Sequence, residues 1–346
     1  MPNKRLNLTP INLKAITSFL KKHWAPVLLG VVVESIFLVG WYSAKNAGSN
    51  KEIFNILQGE TKGVSLNKSC ITLKQQDDKL IYNLANLLRD SKYFYNNQVA
   101  VVNFINLPSS LDSLKDSQSI KVRKEVFIKA LLPLIIQANK EVLEDRKKVL
   151  YLSNKMPKEE LNDKDVEIFK QLSKKYNVKQ QINTFWDVLS GVNALVVKVN
   201  TIPNSLVLAI AIKETGWGTS RFLKEGNSLF SEWTFVDHAN AIAPLNKKPG
   251  AKYAVRKYKD LASSINSFFY NLNGGDNYKS FRNVRFKELS NPKGVSVYKL
   301  TNTLEHYAEM PNYAESLQSI IKGNNLTAYD KYNDIVDTKP ICLYFS

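Results

Sequence analysis

Glu214 closes an apolar run. Of the nine residues Ser205 to Lys213 only Ser205 and Lys213 are polar, and Thr215-Gly216-Trp217-Gly218 follows at once. Such a run reads as a buried helix stopped by Gly216. A carboxylate there faces the negative end of the helix dipole, and an adjacent indole removes water from it. Both effects favour the neutral acid and therefore a raised pKa. A glutamic acid that keeps its proton near neutral pH can hand it to a leaving-group oxygen, which is general acid catalysis. The same local pattern also describes a surface glutamate beside a glycine helix stop, and it leaves both readings open.

The wider pattern carries more information. Ile202 to Phe235 reads IPNSLVLAIAIKETGWGTSRFLKEGNSLFSEWTF. It resembles the glucosaminidase domain of the bacterial Bax proteins, grouped with the family 73 type of endo-β-N-acetylglucosaminidases. Their pattern is a helix ending in Glu-Ser-Gly-Trp-Gly, then Ser-Arg-Phe, then Gly-Asn-x-Leu-Phe-Gly. Here it runs Glu214-Thr215-Gly216-Trp217-Gly218, Ser220-Arg221-Phe222 and Gly226-Asn227-Ser228-Leu229-Phe230-Ser231, so Thr215 replaces a Ser and Ser231 a Gly. Tyr253 to Tyr258, Tyr270 to Asn273, Tyr278, Phe281-Arg282 and Tyr307 to Ala314 continue the likeness. Upstream, Arg123 to Phe127 and Leu131 to Leu134 extend it, so it covers roughly residues 105–322.

The resemblance implies an α+β, lysozyme-like catalytic domain with a small β lobe in a mainly α chain. It also implies cleavage of the peptidoglycan β-1,4 bond after N-acetylglucosamine, with Glu214 as the general acid. Lytic transglycosylation on the same fold, or a non-catalytic wall-binding role, are the alternatives. Most glycosidases use a second carboxylate. Glu232 is preferred for that place over Asp237 and the more remote Asp260, and attack by the substrate's acetamido group is the other route. Tyr307 and Tyr313 match the late tyrosines of the pattern, one of which is implicated in catalysis. Trp217, Asn227, Phe230, Trp233, Tyr253 and Tyr278 are the substrate-binding candidates, because aromatic faces pack on sugar rings. Equally, Trp217 and Phe230 can serve only to wall in Glu214.

His238 and His306 lack triad or metal partners at readable spacing and are read as structural. Gly274-Gly275 lacks the strand–helix context of a phosphate loop. No metal or cofactor is expected. The only cysteines, Cys70 and Cys342, have no Cys or His nearby at metal spacing. An oxidising compartment permits a disulfide between them, and the sequence leaves open whether they meet.

Several elements must hold these groups. A helical stripe runs from Ser119 to about Tyr151 through Val122, Val126, Phe127, Ala130, Leu131, Leu134 and Ile135, with Pro133 expected to kink or break it. A second helix is expected over Asp163–Tyr176 and, less regularly, helix over 76–106. Thr201 to Asn204 starts the apolar helix, Lys252 to Lys259 alternates like a short strand, and Asp260 is placed to cap a helix over Leu261–Leu272.

At 346 residues, 44% hydrophobic and 11% aromatic, the chain is neither disordered nor a polytopic membrane protein. Residues 24–42 hold ten aliphatic or Phe side chains and no Lys, Arg or Asp, between Trp24 and Trp41-Tyr42. That is about the length of a membrane span, with Glu34 as the costly exception. Lys4, Arg5, Lys14, Lys21 and Lys22 precede it, which places the N-terminus in the cytoplasm of a single-pass inner-membrane protein and the catalytic part in the periplasm. The residues before candidate cut sites are poor for signal cleavage, so an uncleaved anchor is preferred.

The expected plan is therefore a tail (1–23), an anchor (24–42), a linker and helical membrane-proximal segment (43–105), a Bax-like helical region (106–200), the glucosaminidase domain (201–322) and a C-terminal tail (323–346). The net charge of +17 suits a protein between anionic lipid and a carboxylate-bearing wall polymer. Nucleic acid is not expected as a partner.

Overall fold

In the computed structural model the described residues are 65–67, 70–73, 85, 94–95, 98–99, 102–108, 111, 117–156, 161–179, 183–235, 240–245, 252–292, 294–305, 307, 311–335 and 341–345. All of them belong to the unit Leu57–Ser346. The span expected at 24–42 lies outside them, and among the described residues no helix is long and apolar enough to cross a membrane.

Along the chain come the strands β1 (Ser65–Asn67), β2 (Cys70–Leu73), β3 (Phe94–Tyr95), β4 (Gln98–Val99) and β5 (Val102–Phe104). The helices α1 (Ser117–Lys155), α2 (Asp163–Lys175), α3 (Phe185–Lys198), α4 (Asn204–Thr215) and α5 (Arg221–Gly226) follow. Next are β6 (Trp233–Thr234), β7 (Ala241–Ile242), β8 (Ala254–Arg256), α6 (Leu261–Gly274), α7 (Lys279–Glu288), α8 (Val297–Thr301) and α9 (Tyr313–Gly323). The chain ends in β9 (Asp334–Ile335) and β10 (Ile341–Phe345). The architecture is mainly helical with small sheets.

α4 is the axis of the core. Ten of its twelve residues are buried, as a helix apolar on every side from Leu206 to Ile212 must be. α1, α8, α9 and a 3₁₀ turn at Leu326–Tyr329 pack around it. α1 does not end at Pro133, which lies inside it. The missing amide is tolerated because Leu131, Leu132, Leu134, Ile135 and Ile136 are all buried on both sides of the proline, and that burial outweighs one lost backbone bond.

α2 begins with a reciprocal capping box between Asn162 and Asp165. α3, which the apolar pattern did not single out, has the same device in Thr184 and Asp187. The Asp260 side chain caps α6 by accepting from the Ser263 amide at 2.7 Å.

The sheets correct two expectations. Within 76–106, read as helix, Ala85 is helical, the other residues before 94 lie outside the described residues, and the later part carries β3, β4 and β5 instead. The residues after 322, read as a tail, supply structural strands. β10 lies between β2 and β5, parallel to both, and β9 is parallel to β4. Pairing of this kind is non-local, and short segments rich in Val, Ile, Phe and Tyr satisfy strand and helix patterns alike until a partner is supplied. The third sheet is antiparallel in the order β6-β8-β7, and its strand β8 is shorter than the alternation from 252 to 259 implied.

The start of α4 is held from both ends of the unit. α4 has no side-chain cap of its own. Asp330 supplies one, accepting from the Ser205 amide at 2.8 Å and the Ser205 hydroxyl at 2.7 Å. The Asn204 amide donates to the carbonyls of Tyr329 and Tyr332 at 3.0 and 2.7 Å. Asn139 of α1 bonds both backbone groups of Ile202, each at 2.9 Å. The incoming loop is gripped by buried Arg285, which donates to the carbonyls of Lys198 and Asn200 at 2.8 and 3.0 Å.

Candidate active site

The turn after α4 is unusual in its backbone. Gly216, Trp217 and Gly218 all have positive φ, of 56, 62 and 90°. Gly216 in the left-handed region is a common helix stop, but a tryptophan there carries a strain cost of about 1–2 kcal/mol. Packing holds it. Phe127 meets the Trp217 ring edge-on with centroids 5.8 Å apart, and the Lys124 ammonium sits 4.8 Å from its centroid. Gly218 is tightly packed at a φ of 90°, since an added Cβ would lie 3.2 Å from Leu111 and 3.3 Å from Phe127. Thr215 ties the turn down, donating to the Ala211 carbonyl at 2.6 Å and accepting from the Gly218 amide at 3.1 Å.

This fixes Glu214 at the last turn of α4, partly buried. The Tyr313 hydroxyl, from the start of α9, donates to its Oε1 at 2.9 Å. Burial pushes the Glu214 carboxyl above the usual glutamate range. Hydrogen bonds from Tyr313 and Ser231 and the charge of Lys213 oppose that shift without cancelling it.

A column of phenols extends from this point. Tyr313 stacks on Tyr307 with centroids 5.5 Å apart, and Tyr307 lies 6.4 Å from Tyr278. The Tyr307 hydroxyl donates to the Phe230 carbonyl at 2.9 Å, which turns it away from acid–base work toward holding the loop after α5. Burial holds the Tyr307 phenol protonated, and the charges of both Glu214 and Glu232 add to this. Burial and the Glu232 charge push Tyr278 up to about 12.

Glu232 accepts from the Tyr258 hydroxyl and from the Asn271 amide, the latter at 3.1 Å. Tyr258 comes from just after β8 and Asn271 from α6, so the carboxylate is aimed by two elements. Thus Glu214, Glu232, Tyr278, Tyr307 and Tyr313 share one electrostatic neighbourhood, although they are spread over roughly 100 residues.

The other candidates divide by role. Phe230 is buried and stacked on Phe268 at 4.0 Å, so it is a wall. Asn227 stops α5 in the left-handed region, and its amide donates to the Tyr258 carbonyl at 3.3 Å. Trp233 is 56% exposed and meets Tyr253 edge-on at 5.0 Å, which leaves aromatic surface open to solvent. Phe235, at 75% exposure, lies two residues on along the same strand direction, beyond buried Thr234.

Of the alternative acids, Asp260 is committed to its helix cap, and Asp237 lies outside the described residues with His238 and His306. Among the described residues no group of three His, Cys, Asp or Glu side chains gathers where a metal ion would sit.

Sequence reasoning missed three supports. Ser231 adopts a left-handed φ of 51° and its hydroxyl reaches Glu214. The glycine-to-serine departure was the signal for it. Tyr258 and Asn271 lie in segments that continue the family likeness, but nothing in the sequence pointed them at Glu232.

Residues 193–326 match the family described as Mannosyl-glycoprotein endo-beta-N-acetylglucosaminidase. The chain is 26% identical over 203 residues to protein Bax of Escherichia coli strain K12, covering 58% of this chain and 69% of that one. It is 25% identical over 169 residues to exo-glucosaminidase LytG of Bacillus subtilis strain 168, covering 47% and 58% of the two chains. The crystal structure of the catalytic domain of the autolysin Auto from Listeria monocytogenes aligns at 16% identity with a TM-score of 0.31, covering 60% of this chain and 88% of that one.

Proposed function

From the premise that residues 193–326 are a glucosaminidase-family domain in a Bax-like chain, we propose that the protein is a peptidoglycan hydrolase. It cleaves the β-1,4 bond after N-acetylglucosamine on a lysozyme-like fold. The observation that carries this reading is the state of Glu214, a partly buried carboxyl kept above its usual pKa and oriented by the Tyr313 hydroxyl at 2.9 Å.

A neutral Glu214 gives its proton to the glycosidic oxygen as the bond to the anomeric carbon lengthens. Positive charge then develops on the sugar ring. Glu232, aimed by Tyr258 and Asn271, is the second carboxylate of the usual scheme. Buried Tyr313 and the Tyr307 ring stacked on it wall in Glu214, and screening from solvent strengthens charge interactions there. Trp233 and Tyr253 offer sugar-stacking faces at the sheet edge. The anchor at 24–42 and its flanking cations support a single-pass inner-membrane protein with this domain on the periplasmic side.

Digestion of purified peptidoglycan with mass spectrometry of the products tests the reading. Reducing N-acetylglucosamine ends are expected, with a loss of about 10²–10⁴-fold in Glu214→Gln. Glu232→Gln is expected to lose at least about 10²-fold, by the same reasoning. Full activity in Glu214→Gln refutes the mechanism. Full activity in Glu232→Gln transfers the second role to the substrate's acetamido group, and anhydro-muramic ends make the enzyme a lytic transglycosylase.

A further inference from the structure

β10 is the central addition to the first sheet, inserted between β2 and β5. Its register on β2 is parallel, with Leu343 beside Ile71, Tyr344 beside Thr72 and Phe345 beside Leu73. One residue back along the same register, Cys342 falls beside Cys70, the first residue of β2. These are the only two cysteines of the chain, 272 positions apart in sequence. Directly neighbouring residues on adjacent strands have Cα atoms about 4.7–5.5 Å apart. A disulfide spans Cα separations of roughly 4.4–6.8 Å.

We propose that Cys70 and Cys342 are a disulfide site that closes when the folded chain meets a disulfide-bearing oxidant. The thiolate of one cysteine attacks a sulfur of the oxidant's disulfide, which releases one oxidant thiol and leaves a mixed disulfide. The second cysteine, as thiolate, displaces the remaining oxidant thiol. Two protein thiols are oxidised by two electrons, one oxidant disulfide is reduced to two thiols, and the released protons go to solvent.

The bond fastens the end of the chain to the β1–β2 hairpin. Residues 329–332 cap and seat α4 through Asp330, Tyr329 and Tyr332, and β9 and β10 follow directly. The staple therefore secures the segment that holds the Glu214 helix at its start. Its gain is largest for a long closed loop, and this one runs through 273 residues.

The test uses the purified full chain, fully reduced and then equilibrated with oxidised glutathione while folded. Residual thiols are blocked with N-ethylmaleimide and the chain is digested without reductant. Mass spectrometry is expected to find one peptide pair joined through Cys70 and Cys342 within a single chain. Glutathione retained on both cysteines, or maleimide on both, overturns the proposal. In the Cys70→Ser variant the mixed disulfide on Cys342 is expected to persist, because nothing resolves it. Reductant is expected to lower the Tm of the oxidised chain by roughly 5–10 °C and to leave the Cys70→Ser variant unmoved. An equal fall in that variant also overturns the proposal. None of these readouts depends on glycosidase activity.

Discussion

Tyr313→Phe isolates the hydrogen bond that controls the general acid. The ring is buried and stacked on Tyr307, and phenylalanine keeps that packing while removing one oxygen. The lost bond is 2.9 Å long, from the phenol to Glu214 Oε1. A hydrogen bond to a charged group contributes about 1.5–3 kcal/mol and one to a neutral group about 1 kcal/mol. The difference acts on the Glu214 ionisation, and at 1.36 kcal/mol per unit it corresponds to roughly one pKa unit.

The sign is fixed by chemistry. The phenol favours the carboxylate, so its removal raises a pKa that burial has already raised. The acid then holds its proton to higher pH, and the alkaline limb of kcat/KM on peptidoglycan should move up by about one unit. Carbon NMR of the labelled Glu214 carboxyl should show the same displacement. A limb that stays in place, or one that moves down, refutes the reasoning. A downward move would mean that Tyr313 stabilises the neutral acid instead.

Glu214→Gln should melt at or above the wild-type temperature at neutral pH. A raised folded-state pKa means that native protein holds a proton the unfolded chain has released, so stability falls as pH rises from the ordinary glutamate range through the raised value. Calorimetry below that range should find no difference. Ser231→Gly should relieve a left-handed serine and remove its bond to Glu214, leaving the Tm no lower while the alkaline limb shifts upward by less than in Tyr313→Phe. An unmoved limb argues against a role for the hydroxyl. Asp330→Ala should cost about 1 kcal/mol through the lost helix cap, or about 2–4 °C in Tm, without changing the pH profile. An unchanged Tm refutes the capping account.

The local chemistry of Glu214 was legible in sequence because it depends on neighbours along the chain. An apolar helix, a glycine stop and an adjacent tryptophan are all within four residues of it. The cap of α6 was legible for the same reason, since a cap acts over three residues. The choice between Tyr307 and Tyr313 was not. Both phenols are local equals, and only the placement of α9 against α4 gives one the carboxyl and the other the Phe230 carbonyl.

The aim of Glu232 likewise depends on Tyr258 and Asn271, brought together by β8 and α6. The strands β4 and β5 were misread as helix because their partners β9 and β10 lie some 240 residues later. The sequence by itself thus determined which residue could act as an acid and what stops its helix. The tertiary structure decided what orients that acid, what faces it, and that the far end of the chain holds its helix in place, because those bonds join groups that no local pattern relates.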